Sequence, residues 1–269
     1  MADMNLNVGI DGFKSGTNIK DIKVPEILRN KYSCGIDWVD SAMGGNGFTA
    51  STCGMITGTP GAGKTTFLLQ LANAITFSGN ECIFNTGEES LYQVAMTVER
   101  LKLRYGFSSD QNTNMPSFLE FAEKHYEKTC AGKKNKNGSD KALFLLIDSL
   151  QTMNDGKYKD GGVTGNTPMR CTEMLTNFSK TMSKNGKPVI VLFIGQVTKS
   201  GDFAGKNGIK HAIDMHLHLC IDEDQRSESW GERVFTNYKN RFGCAGRTFV
   251  LGMSDKGLYK KGEYIRDKK

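Results

Sequence analysis

The chain has 269 residues, of which 38% are apolar and 24% charged, and it carries a formal net charge of +6. That balance excludes a disordered polyelectrolyte, and no apolar run approaches the roughly 18 residues needed to span a bilayer. Its seven cysteines are scattered, odd in number and free of any CxxC pair, which argues against both a disulfide framework and a cysteine-type zinc site.

Residues 1–24 are polar and weakly periodic and read as a flexible N-terminal arm. They lack the apolar core of a secretory signal, so the expected location is the cytoplasm. Residues 25–269 read as one domain. The first strong unit is a strand at Thr52–Thr57, a glycine loop, and a helix at Thr65–Thr76 with Phe67, Leu68, Leu71, Ala72 and Ile75 on one face. A second strand follows at Cys82–Thr86, then a helix from Ser90 to Arg104. The third strand is Leu143–Ile147, the next helix Arg170–Lys184, and the fourth strand Val189–Ile194. Beyond Asp214 the helical patterns stop. Asp214–Ile221, Arg233–Tyr238 and Thr248–Met253 read as strands extending the sheet antiparallel at one edge. Alternating strands and helices predict an α/β fold: a mostly parallel twisted sheet with helices on both faces. Three Gly- and Lys-bearing stretches, 131–141, 154–167 and 198–210, read as mobile loops.

Gly58, Thr59, Pro60, Gly61, Ala62, Gly63, Lys64 and Thr65 satisfy GxxxxGK[ST] in full, and Thr66 continues into the helix. Glycines there let backbone N–H groups turn inward toward phosphate oxygens, and the helix N-terminus adds partial positive charge. Lys64 is expected on the β/γ-phosphates of ATP and the Thr65 hydroxyl on Mg2+. Asp148 ends an apolar strand at the edge where ligands bind in such sheets, and is expected to hold the metal through water. Glu88 and Glu89 follow the second strand. Either could orient the attacking water, with Glu88 preferred, and either could instead stabilise the helix that starts beside them. Gln196 follows the fourth strand, where its amide could sense the γ-phosphate. Asp214, His216 and His218 alternate along one strand, but no further ligand suggests a metal there.

These pieces together resemble the ATPase core of the RadA (Sms) family. The resemblance rests on CGIDWVDSAMGGNGFTASTCGMITG before the loop, NTGEES with QVAMTVERL, IDSLQTM at 147–153, GQVTKSGDFAGKNGIKHAIDMHLHL at 195–219, and above all KNRFG at 239–243. It implies a RecA-like P-loop motor domain over 25–269 that assembles as a homo-oligomer, a hexameric ring with ATP between subunits. Lys239 and Arg241 would then reach a neighbour's γ-phosphate, although in isolation they read as a solvated basic turn. It also implies an ATP hydrolase stimulated by single-stranded DNA, a helicase-like translocase of recombination, branch migration and repair, with a recombinase as a possible partner. The loops facing a central channel would carry Lys157, Tyr158 and Lys159, and Lys199, Lys206 and Lys210, cations and an aromatic suited to phosphates and bases. The family's four-cysteine zinc module and Lon-protease-like domain have no counterpart in this sequence, and Gln196 stands where the family has histidine. The alternatives are a DnaB-like replicative helicase motor, a non-translocating RecA-like mediator that uses ATP for assembly, and a KaiC-like regulatory ATPase.

Overall fold

The computed structural model describes residues 14–158, 160–196 and 208–264. A short helix α1 (Glu26–Arg29), a two-stranded ribbon of β1 (Lys31–Tyr32) and β2 (Phe48–Thr49), and helix α2 (Asp37–Ala42) lead into the main sheet. Then come β3 (Cys53–Thr57), α3 (Lys64–Phe77), β4 (Glu81–Thr86), α4 (Leu91–Arg100) and β5 (Ser108–Asp110). They are followed by α5 (Met115–Thr129), β6 (Leu143–Asp148), α6 (Thr167–Lys184), β7 (Val189–Ile194) and α7 (Gly208–Ala212). The chain closes with β8 (Met215–Ile221), β9 (Arg233–Asn240), β10 (Thr248–Ser254) and β11 (Gly257–Tyr264).

Among the described residues the main sheet has nine strands in the order β11-β10-β9-β8-β3-β7-β6-β4-β5. From β8 to β5 all neighbours are parallel, and β8 through β11 form an antiparallel meander at the other edge. The expected mostly parallel sheet with an antiparallel C-terminal edge is therefore the observed one.

The central strands are apolar on both faces because both are covered. Along β6, Phe144 and Leu146 face one core with Phe67, Leu68 and Leu71 of α3. Leu143, Leu145 and Ile147 face a second core with Phe118 of α5 and Leu175 of α6. Trp38 of α2 packs edge-on against Phe235 at 5.1 Å and tilted against Phe67 at 5.7 Å, which ties the meander to α3. Gln70 of α3 completes that junction: its Oε1 accepts from Leu258 N at 2.9 Å and its Nε2 donates to Leu258 O at 3.1 Å. The β10–β11 hairpin is thereby fixed beside the middle of α3.

Two expectations need correction. The second helix ends at Arg100, not Arg104, because Lys102 turns out of the helix with φ of 54°. The 131–141 stretch is a tied loop. Buried Asn135 donates to Asn80 Oδ1 at 3.3 Å, and its own Oδ1 accepts from the N–H groups of Asn137 and Ser139. No helix among the described residues is long and apolar enough to cross a membrane.

Candidate active site

The site begins with the geometry that β3 imposes. This strand is buried at every residue and delivers the chain to the sheet's C-terminal edge. Gly58 has φ of 152°, and a Cβ there would overlap the Leu219 carbonyl of neighbouring β8. Gly63, at φ of 102°, is left-handed immediately before α3. The loop thus folds back over the first turn of a 14-residue helix, whose unpaired N–H groups favour an anion. The Lys64 ammonium donates to the carbonyls of Gly58 and Thr59, both at 2.9 Å. Burial lowers its pKa, against the opposing pull of Asp148 and Glu88.

The Thr65 hydroxyl donates to Asp148 Oδ2 at 2.6 Å, so helix α3 and strand β6 meet at that point. Burial pushes the Asp148 carboxyl up to about 6; the Thr65 hydrogen bond opposes this, the negative charges of Glu88 and Glu89 add to it, and Lys64 also opposes it. Thr86 pairs with Asp148 in the parallel register of β4 and β6, which brings the residues after β4 alongside those after β6. There Glu88 Oε1 accepts from the Ser149 hydroxyl and from Gln196 Nε2, the latter at 3.1 Å. Lys64, Thr65, Thr66, Glu88, Asp148 and Gln196 all line one cleft of about 740 Å3. Glu89 is not among its lining residues. Its main chain instead exchanges hydrogen bonds with the Thr86 hydroxyl, in a turn that leads to the Ser90–Gln93 capping box of α4.

Two arginines that sequence reasoning missed line the same cleft. Arg100 ends α4, and Arg233 opens β9. The Nε–H of Arg233 is buried and has no acceptor among the described residues. As a lining residue with a spare donor, Arg233 brings a guanidinium suited to an anion in this cleft. Only the register, which pairs Arg233 with Ile221, puts it there, and no local pattern signals it. Beneath the loop, the Thr57 hydroxyl meets His216 Nε2 at 2.8 Å and His218 Nδ1 at 2.9 Å. The two histidines thus share a hydroxyl, while Asp214 on the same stretch serves other groups.

The KNRFG cations are held within their own chain. The Lys239 ammonium donates to the carbonyls of Lys210 and Ile213, each at 2.6 Å. Arg241 pairs with the buried Asp214 carboxylate at 3.1 Å and donates to the His211 carbonyl at 2.8 Å. Among the residues expected to meet DNA, Lys157 and Tyr158 are exposed, with the ammonium 5.8 Å from the ring centroid, and Lys210 sits on α7. Lys159, Lys199 and Lys206 lie outside the described residues.

The donor set suits a magnesium nucleotide: hard oxygens from Thr65 and Asp148, a partly buried ammonium, and a glycine turn at a helix N-terminus. This loop, set between a buried parallel strand and a helix in a doubly covered sheet, defines a P-loop ATPase of the RecA-like class. The family described as "ATPase: KaiC" matches residues 32–243, and the chain belongs to it. The chain is also similar to the DNA repair protein RadA of Haemophilus influenzae, with 32% identity over 255 residues covering 94% of this chain and 50% of that protein. To RadA of Escherichia coli K12 it is 32% identical over 250 residues, covering 93% and 48%. The chain thus spans about half the length of these relatives. Two solved structures share the fold at 14% identity, each over 84% of this chain. One is a DnaB-like replicative helicase described with its primase interactions, at a TM-score of 0.68 and 61% coverage of that chain. The other is an isolated ATPase domain, at 0.67 and 89%.

Proposed function

We propose that residues 25–269 form a motor domain that hydrolyses ATP with Mg2+ and couples turnover to single-stranded DNA, as part of recombination and repair in the cytoplasm. The observation that carries this reading is the meeting of Lys64, the Thr65–Asp148 pair and Glu88 in one cleft. Lys64 exchanges its two carbonyl partners for the β/γ-phosphates. Thr65 and Asp148 would hold the metal ion, and when bound it would supply charge neutralisation to the phosphates. Glu88 orients the attacking water and accepts its proton, and Ser149 and Gln196 fix the carboxylate's direction meanwhile. Gln196 also stands where it can report the γ-phosphate to the segment that follows it. Arg100 and Arg233 grip the nucleotide from the cleft walls.

In this reading the chain assembles as a hexameric ring, and Lys239 and Arg241 leave their own carbonyls and carboxylate to reach a neighbour's γ-phosphate. A cation supplied in trans is worth about 10³–10⁵ in rate. Lys157, Tyr158, Lys159, Lys199, Lys206 and Lys210 line the channel and grip the strand. Similarity to RadA proteins along most of this chain supports the DNA substrate, and a recombinase is the natural partner. The test is ATP turnover at low salt with and without a single-stranded oligonucleotide. Stimulation that fades steeply with salt supports the reading, because phosphate contacts release counterions. Turnover indifferent to DNA at low salt contradicts it.

A further inference from the structure

At the opposite edge of the sheet from the cleft, Phe77 at the end of α3 and Tyr105 before β5 stack with ring centroids 4.8 Å apart. Both are large and exposed, at 45% and 41%. The Lys136 ammonium lies 3.9 Å from the Phe77 centroid and 5.9 Å from that of Tyr105. Exposed Lys102 and Arg104 precede Tyr105 in the chain.

This arrangement is preformed. The Lys136 N–H donates to the Ser78 carbonyl at 3.3 Å, and the loop beneath it is anchored by buried Asn135 on buried Asn80. Asn80 Oδ1 also accepts from Ala142 N at 3.1 Å, which ties the loop to the start of β6. On the other side, Tyr105 N donates to Asn73 Oδ1 at 2.9 Å. The nearby carboxylate of Asp140 is taken by Lys134 at 2.7 Å, so it does not neutralise Lys136. Rings open to solvent beside exposed cations match a strand that offers both π-faces and phosphates.

We propose that Phe77, Tyr105 and Lys136 form a second contact for single-stranded DNA, on the face of the domain away from the ATP cleft. A base stacks on Tyr105 and Phe77 while Lys136 turns from the ring to a phosphate. The proposal rests on the DNA-acting reading above but uses none of its residues.

The experiment measures anisotropy of a fluorescein-labelled thirty-nucleotide oligo-dT from low to moderate salt, together with photocrosslinking of a 5-iodouracil oligonucleotide. The proteins are the full chain, Tyr105→Ala, Tyr105→Phe and Lys136→Glu. Tyr105→Ala and Lys136→Glu are expected to weaken binding about fivefold or more, with Tyr105→Phe close to wild type. Lys136→Glu should also reduce the salt slope by about one. Crosslinks should include Tyr105, and DNA-free ATP turnover should be unchanged, since none of these residues lines the cleft. Wild-type affinity in both disruptive variants, or crosslinks confined to residues 154–210, overturns the second contact and leaves the motor reading standing. Failure of the full chain to bind the oligonucleotide at low salt overturns both.

Discussion

Arg241 and Asp214 form an ion pair of 3.1 Å within the chain, and the same carboxylate accepts from the N–H of Cys53 at the start of β3 at 3.1 Å. Asp214 therefore joins the strand that leads into the glycine loop to the arginine expected to act on a neighbour. In the trans reading, Arg241→Ala should lower turnover by about 10³-fold or more while leaving ATP affinity near wild type. Mixing it with Lys64→Ala should restore part of the activity, since each subunit then supplies what the other lacks. Absence of complementation in mixed assemblies, measured by steady-state ATP turnover, contradicts the trans role.

Glu88, with its carboxylate addressed by Ser149 and Gln196, differs from Glu89, which is tied to a turn. Glu88→Gln should reduce turnover by about 10²–10⁴-fold with nucleotide binding retained, as loss of a general base does. Glu89→Gln should keep most activity. A reversal of that order in single-turnover assays would assign the water to Glu89.

Arg233 lines the cleft, and its buried Nε–H has no partner among the described residues. Arg233→Ala is expected to raise KM for ATP about tenfold, with a smaller effect on kcat, because a charge-assisted hydrogen bond contributes about 1.5–3 kcal/mol. Because that donor has no partner among the described residues, the nucleotide-free variant should be no less stable than wild type. An unchanged KM places Arg233 outside nucleotide recognition.

Burial, with His218, Lys210 and Lys239 nearby, holds His216 down at about 4, from the ordinary 6.5. Between those values the unfolded chain binds the proton more readily, so stability falls as pH falls from 6.5 toward 4. His216→Gln removes that contribution. Between pH 7.5 and 5.0 the variant should lose about 1 kcal/mol less than wild type, a figure already reduced for the ring's partial exposure. Denaturant melts at the two pH values give the comparison, and equal losses contradict it.

Much of the parallel half was legible because both its faces are buried. Val189–Ile194 and Leu143–Ile147 are continuous apolar runs, and the glycine loop sits in the strand-to-helix setting that gives the motif meaning. Helix α5 was not legible. Its buried stripe of Met115, Phe118, Ala122 and Tyr126 is spread among Glu, Lys and His, although Asn114 caps it and Pro116 marks its first turn. Strand β11 was hidden because LYKKGEY is largely polar at an exposed edge. Glu88 and Asp148 could be read from their places after apolar strands. Arg233 could not, because its place in the cleft depends on antiparallel pairing that periodicity does not encode. The partners of Lys239 were likewise invisible, since backbone carbonyls near α7 leave no mark in side-chain pattern.

The most direct test is calorimetric titration of Mg2+–ATP into the chain and into Lys64→Ala. A saturable uptake by wild type that is lost in the variant is the predicted result. No nucleotide uptake by the wild-type chain, or uptake undiminished in Lys64→Ala, would contradict the assignment of this cleft.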